Sequence, residues 1–160
     1  DDFNLPRIIQ LINKSNQFHL TTTRYSATEI KAVQEDLNKF HKFFKLNDRF
    51  GDNGLISAVI LERRGSVLSI DTWVMSCRVL SRGMEEFVLY EMISMAEVLG
   101  CTVLQGKYIP TKKNRLVSKL YERLGFTLSQ TLDDGSTLWE LRVEKKNFEN
   151  KTAIKLKKDA

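Results

Sequence analysis

Apolar positions 5, 8, 9 and 12 fall on one helical face and predict a short helix over Leu5–Asn13, with Pro6 tolerated in its first turn. The stretch Phe18–Thr22 is rich in strand formers. Ser26 and Glu29 have the spacing of a capping box, in which a hydroxyl and a carboxylate satisfy free N–H groups, so a helix follows to about Asn38. Phe40–Leu46 and Leu55–Arg63 read as strands joined through Asp52-Asn53-Gly54, whose Asn-Gly pair tolerates the positive φ of a hairpin turn. Arg64-Gly65 turns into a third strand, Val67–Met75. The clearest helix runs from Gly83 to Gly100, with Met84, Phe87, Val88, Met92, Met95, Ala96 and Leu99 on one broad face and Gly100 as its stop. Thr102–Tyr108 is a strand, Pro110–Asn114 a loop and Arg115–Leu124 a helix stopped by Gly125. Phe126–Leu132 and Thr137–Val143 pair as strands across Asp133-Asp134-Gly135. The order predicts a mixed α/β domain whose mostly antiparallel sheet carries one βαβ crossover, through Gly83–Gly100.

Length and composition narrow this picture. At 160 residues, 42% of them hydrophobic and 28% charged, the chain is sized for one core. That core spans about residues 1–146, and 147–160 read as a basic tail. Much of the +5 net charge lies between Lys145 and Lys158, where six lysines face the lone Glu149. The rest lacks the dense basic stripe of a nucleic-acid binder. Apolar runs such as Leu55–Leu61 fall far short of the roughly 20 residues of a membrane span. Cys77 and Cys101 match no zinc spacing and make no disulfide framework, which suits a reducing, cytoplasmic setting. Asp48, Asp52 and Asn53 lack the alternating ligands and terminal glutamate of a calcium loop, so no metal is expected.

Two segments carry chemistry. Ile70-Asp-Thr-Trp-Val-Met-Ser-Cys-Arg-Val-Leu-Ser-Arg-Gly83-Met-Glu-Glu runs from a strand through a glycine into a helix, and Asn114 precedes Leu120-Tyr121-Glu122-Arg123-Leu124-Gly125-Phe126. From about Phe18 to Val143 the chain resembles the GNAT acyltransferase superfamily. The resemblance implies that N–H groups and the dipole at the helix start hold the phosphates of coenzyme A. Tyr121 then lies near the thioester sulfur, and cofactor contacts fall on Met75, Ser76, Val79, Arg82, Gly83, Met84 and Asn114. Aligning Gly83 with the glycine that opens the family's helix puts Leu80 where Arg or Gln is usual and Glu85 where Gly or Ala is usual. Both changes weaken a pyrophosphate site. The register Arg78-x-x-Ser81-x-Gly83 restores the arginine but shortens the helix. A phosphopantetheine arm needs only the strand edge.

Finer texture points further. Leu11–Thr22, Arg24-Tyr25, Asp48–Gly54, Ser76–Leu80, Arg82-Gly83-x-Glu85 and Tyr108-x-Pro110-Thr111-x-Lys113-Asn114 resemble the C-terminal domain of FkbH-like proteins. In that family a haloacid-dehalogenase-type phosphatase domain precedes a GNAT-like domain, and some members move a glyceryl unit onto an acyl carrier protein. The resemblance implies an acyl carrier protein as partner, with carrier-bound phosphopantetheine or coenzyme A as cofactor. It also implies a phosphatase domain N-terminal to this chain, consistent with a start at Asp1 rather than Met and with the lack of an Asp-x-Asp phosphatase motif. An ordinary acetyl-coenzyme A-dependent N-acetyltransferase and a non-catalytic carrier-docking module are the rivals.

Individual residues keep two readings each. Cys77 is a candidate acyl nucleophile, with Arg78 lowering its pKa and His19 or His41 as a base, or else a small buried residue. Strict alternation puts Asp71, Trp73, Met75 and Cys77 on one strand face and Thr72, Val74 and Ser76 on the other. Asp71 is a base or orienting carboxylate, or a half-exposed strand residue. Tyr121 donates to a departing thiolate or only packs. Asn114 binds pantetheine amides or caps the helix before Arg115. Arg82, Lys107, Lys112, Lys113 and Arg115 meet a phosphate or an acidic carrier helix, or serve solubility. Asn16, Gln17, Thr21 and Thr22 line a hydroxylated acyl pocket or satisfy a loop backbone.

Overall fold

A computed structural model describes residues 5–14, 18–21, 24–48, 51–76 and 83–143. Helix α1 (Leu5–Lys14) turns Leu5, Ile8 and Ile12 inward. Helix α2 (Ala27–Glu35) begins at the predicted capping box, with the Ser26 hydroxyl accepting from the Glu29 N–H and the Glu29 carboxylate accepting from the Ser26 N–H. Strands β1 (Lys39–Asp48), β2 (Gly51–Arg64) and β3 (Val67–Met75) form an antiparallel meander. Helix α3 (Met84–Val98) crosses over to β4 (Val103–Tyr108), which lies parallel to β3. A 3-10 turn (Arg115–Val117) and the short helix α4 (Leu120–Arg123) lead to the hairpin of β5 (Thr127–Thr131) and β6 (Thr137–Arg142). The six strands lie in the order β1-β2-β3-β4-β6-β5.

Alternation along β2 divides the core between the two faces of this sheet. Ala58 and Ile60 pack with Val74 against α1 and α2, burying Ile8, Ile12, Ile30 and Val33. Val59 and Leu61 join the larger core under α3, with Phe87, Val88, Met92 and Ala96. Helix α3 starts where Gly83 takes φ 79°, a left-handed conformation that side chains with a Cβ disfavour. Among the described residues no helix is long and apolar enough to cross a membrane.

Four local expectations are corrected. The β1–β2 pairing continues to Asp48 opposite Gly51, so Asp52-Asn53-Gly54 lie within β2 and not at the reversal. The longer ladder, with register shifts on either side of Lys45, outweighs the local Asn-Gly preference. Of the strand expected over Phe18–Thr22, the described residues 18–21 make instead an isolated antiparallel bridge, His19 to Val74, and Thr22 lies outside the described residues. The helix expected over Arg115–Leu124 is broken in two, because the Val117 and Ser118 amides bond three residues back, to Asn114 and Arg115. The strict alternation expected of β3 fails at Asp71. Thr72 pairs with Ile60 and Ile70 with Leu61, which leaves Asp71 as an extra bulged residue. Beyond the bulge Trp73 and Met75 share the α3-side core with Leu68 and Ile70. Asp71 instead keeps company with Thr72, whose hydroxyl it binds at 3.0 Å.

Candidate active site

The bulge has a second consequence. Parallel pairing of β3 with β4 is confined to Val67–Ile70 against Val103–Gly106, and past that point the two strands part company. Residues Phe18–Leu20, between α1 and α2, enter the resulting wedge. The Leu20 N–H donates to the Trp73 carbonyl at 3.4 Å, and the Met75 N–H donates to the Phe18 carbonyl at 3.3 Å. On the other wall the Ile109 N–H donates to the Leu20 carbonyl at 2.8 Å. The backbone groups of Trp73 and Met75 that β4 leaves free are therefore used by the chain's own segment, with the long distances of a loosely held bridge.

Asn114 fastens this segment from below. Fully buried, it donates through Nδ2 to the carbonyls of His19 (3.0 Å) and Ile109 (2.8 Å). Its Oδ1 accepts from the Thr111 N–H (2.7 Å) and the Tyr108 hydroxyl (3.4 Å). It makes no side-chain cap to the turn that follows. Its role here is to pin the Phe18–Leu20 segment to the end of β4, a function that neither sequence reading anticipated.

Tyr121 lies across the other side of the wedge. Its ring covers Gly106, where an added Cβ would meet Tyr121 Cζ at 2.3 Å and Cε1 at 2.4 Å. The ring centroids of Phe126 and Trp73 lie 4.8 and 6.3 Å from that of Tyr121, and Phe18 packs edge-on to Trp73 at 5.7 Å. Burial pushes the Tyr121 phenol well above its ordinary range, with a small opposing pull from the Lys107 backbone N–H that faces it. The hydroxyl therefore stays protonated, and it makes no well-formed hydrogen bond. The buried Trp73 indole N–H also lacks a partner.

A polar cluster occupies the α1–α2 side of the bulge. The Tyr25 hydroxyl donates to Asp71 Oδ2, which also accepts from Thr72, while the Thr21 hydroxyl donates to the Asp71 carbonyl at 3.0 Å. Burial first, and then the bond to Asp71, drive the Tyr25 phenol far above its ordinary value. Asp71 is thus a held carboxylate. Tyr25 itself is fixed through reciprocal bonds between its backbone and the Asn13 side chain.

At the start of α3 the Glu85 carboxylate is buried and lies 4.0 Å from the Arg123 guanidinium of α4. Met84 is buried in the core beside it, while Ser76 donates its N–H to the Ile56 carbonyl at 2.7 Å. Cys77, Val79 and Arg82, with Arg78, Leu80 and Ser81, lie outside the described residues, as do Asn16, Gln17, Thr22 and the tail. His41 sits on β1, separated from β3 by β2, with its pKa lowered by burial. Lys112 and Lys113 are exposed on the loop after β4, and Arg115 is exposed at the start of the 3-10 turn. No group of residues among those described is arranged to hold a metal.

Sequence reading passed over Gly106, Trp73, Phe18 and Tyr25 as functional positions. A glycine inside a strand is the one signal that could have marked a close approach. The other three contacts depend on how distant segments meet.

The overall fold recurs in solved structures. Ribosomal-protein-S18-alanine N-acetyltransferase from Escherichia coli superposes with a TM-score of 0.64 at 14% identity, over 89% of this chain and 90% of that one. The GNAT domain of S. lividans PAT gives 0.69 at 13%, over 88% and 85%. Spermidine N-acetyltransferase from Vibrio cholerae, solved in complex with CoA and spermine, gives 0.65 at 14%, over 89% and 92%. No family model and no curated protein matches the sequence. These likenesses define the fold: the chain has the GNAT fold, a mixed α/β sheet of six strands flanked by helices.

Two parts of coenzyme A fare differently against these residues. The Trp73 carbonyl, the Met75 N–H and the donors of Trp73 and Tyr121 suit an amide-bearing pantetheine arm that ends in a thioester. A buried Glu85 in the first turn of α3 puts an acidic side chain at the helix end where a pyrophosphate would sit, and the two compete for that end.

Proposed function

We propose that this domain transfers an acyl group carried as a thioester on a phosphopantetheine arm. The observation that carries the reading is the parting of β3 from β4 after Ile70 and Gly106, with backbone groups of Trp73 and Met75 on one wall and a protonated Tyr121 on the other. The arm supplies an activated acyl carbonyl. Trp73 and Met75 hold its amides once Phe18–Leu20 withdraws, since both occupants need the same two backbone groups. Tyr121, whose phenol burial keeps neutral, donates a hydrogen bond toward the departing sulfur. Asp71, steadied by Tyr25 and Thr72, orients the acceptor from the α1–α2 side.

The proposed donor or acceptor of the acyl group is an acyl carrier protein, and the unit moved is of glyceryl type. Support comes from Glu85, which disfavours the polyphosphate of free coenzyme A more than the single phosphodiester of a carrier-bound arm. Exposed Lys112, Lys113 and Arg115 beyond β4 offer cations to an acidic carrier helix. Cys77 is the proposed covalent relay: its thiolate takes the acyl group from one thioester, releases a thiol, and passes the group to the pantetheine sulfur. A phosphatase domain N-terminal to this chain and a cytoplasmic setting complete the proposal. The neighbour solved with CoA and spermine favours a second reading, an acetyl-coenzyme A-dependent N-acetyltransferase.

Calorimetric titration of wild type and Cys77→Ala with coenzyme A and with phosphopantetheine-bearing carrier protein separates the two, together with intact-mass detection of an acyl adduct. Carrier binding with a Cys77-dependent adduct is expected. Micromolar coenzyme A binding without carrier binding favours the N-acetyltransferase, and carrier binding without transfer leaves a docking module.

A further inference from the structure

Buried hydrogen-bond donors rarely go without an acceptor, and each that does costs roughly 1–3 kcal/mol. Among the described residues three buried side-chain polar atoms make no hydrogen bond: Trp73 Nε1, Tyr121 Oη and Ser136 Oγ. Two of the three belong to neighbouring rings, where β3 and β4 part. Trp73 follows the Asp71 bulge closely, and the bulge is what turns its indole to the α3 side, against Tyr121. The other tryptophan, Trp139, has its indole N–H satisfied by the Thr137 hydroxyl at 2.9 Å. Packing alone does not call for an indole at position 73, since a phenylalanine fills most of the same space without burying a donor.

We infer that the indole N–H of Trp73 is a specificity-determining donor that selects an acyl group bearing an oxygen beyond its thioester carbonyl. The inference rests on the thioester-arm reading above. Phe18 packs edge-on to Trp73 while the chain's own segment occupies the wedge. When an arm replaces that segment, Tyr121 faces the sulfur end of the acyl group and Trp73 a hydroxyl further along it. An acyl chain without that hydroxyl leaves the indole as dry as before, so the discrimination arises from an unmade bond rather than from a clash.

The test uses this chain with two ligands, glyceryl-pantetheine and propionyl-pantetheine thioesters, with wild type and Trp73→Phe. Wild type is expected to bind the glyceryl thioester more tightly. Trp73→Phe should lose about five- to thirtyfold in affinity for it and almost nothing for the propionyl thioester. In 15N-labelled wild type, the Trp73 indole N–H resonance should move downfield with the glyceryl ligand only, while that of Trp139 stays still. This second readout does not depend on the variant folding. Equal weakening of both ligands together with an unmoved indole resonance would reduce Trp73 to packing and overturn the inference alone. Failure of wild type to bind either thioester would remove the thioester-arm reading itself.

Discussion

Substituting Gly106 by alanine probes the wall of the wedge directly. The added methyl would lie 2.3 Å from Tyr121 Cζ and 2.8 Å from its hydroxyl oxygen. Ordinary carbon–carbon contact begins near 3.5 Å, so the ring must retreat by about 1 Å or more. It has nowhere easy to go: the ring is buried, with Phe126 and Trp73 against it. Overpacking of this kind costs about 1–3 kcal/mol. The backbone at Gly106 has no positive φ, so alanine also recovers about 0.4–1 kcal/mol by restricting the unfolded chain. The net loss is about 1–2 kcal/mol, which for a chain of this size lowers Tm by roughly 2–8 °C. The assay is urea and thermal unfolding of wild type, Gly106→Ala, Tyr121→Leu and the double variant. In the Tyr121→Leu background Gly106→Ala should be neutral or stabilising, giving a coupling of about 2 kcal/mol. A Gly106→Ala protein as stable as wild type, or additive losses in the double variant, would mean that the Tyr121 ring does not lie over Gly106, and the site's geometry would fall with it.

Two further predictions concern the closing segment and the buried phenols. Asn114→Ala removes partners from the His19 and Ile109 carbonyls and the Thr111 N–H. It should cost about 2–4 kcal/mol in denaturant unfolding and speed amide exchange at Ile109 more than in α3; uniform exchange across the chain would refute the pinning role. Tyr25, Tyr108 and Tyr121 all have phenols raised by burial. A raised folded-state pKa of a phenol favours the protonated folded form, so this stability is fully present below the unfolded value near pH 10 and declines as pH climbs above it. Tyrosinate absorbance from these residues should therefore rise together with loss of the folded circular dichroism signal, and ionisation near pH 10 in a still-folded protein would contradict their burial.

The elements that rest on local signals were legible in the sequence. The Ser26–Glu29 box, the left-handed Gly83 at the start of α3 and the turn at Asp133-Asp134-Gly135 each rest on residues a few positions apart. The wedge was not legible in the same way. The Asp71 bulge is a property of register between two strands, and a side-chain period of two misassigns the faces beyond it. The Phe18–Leu20 segment has strand-forming residues but too few free edges to pair with, so it becomes a bridge held by Asn114 from 95 positions away. The Tyr121 element was visible as a motif, yet its contact with Gly106 depends on α4 returning over β4. The break of the Arg115–Leu124 helix begins at an anchored Asn114, one of whose bonds reaches His19 95 positions away.

The central claim is that the free edge of β3 serves a pantetheine arm and that the chain's own segment occupies it until then. Amide exchange followed residue by residue, during titration with phosphopantetheine-bearing carrier protein or acyl-pantetheine, tests this directly. The account predicts that the Leu20 N–H, bonded to the Trp73 carbonyl in the free protein, loses protection on binding. The Met75 N–H should keep its protection or gain, because the arm replaces Phe18 as its acceptor. Binding that leaves Leu20 protected and Met75 unchanged would place the ligand elsewhere and contradict the account.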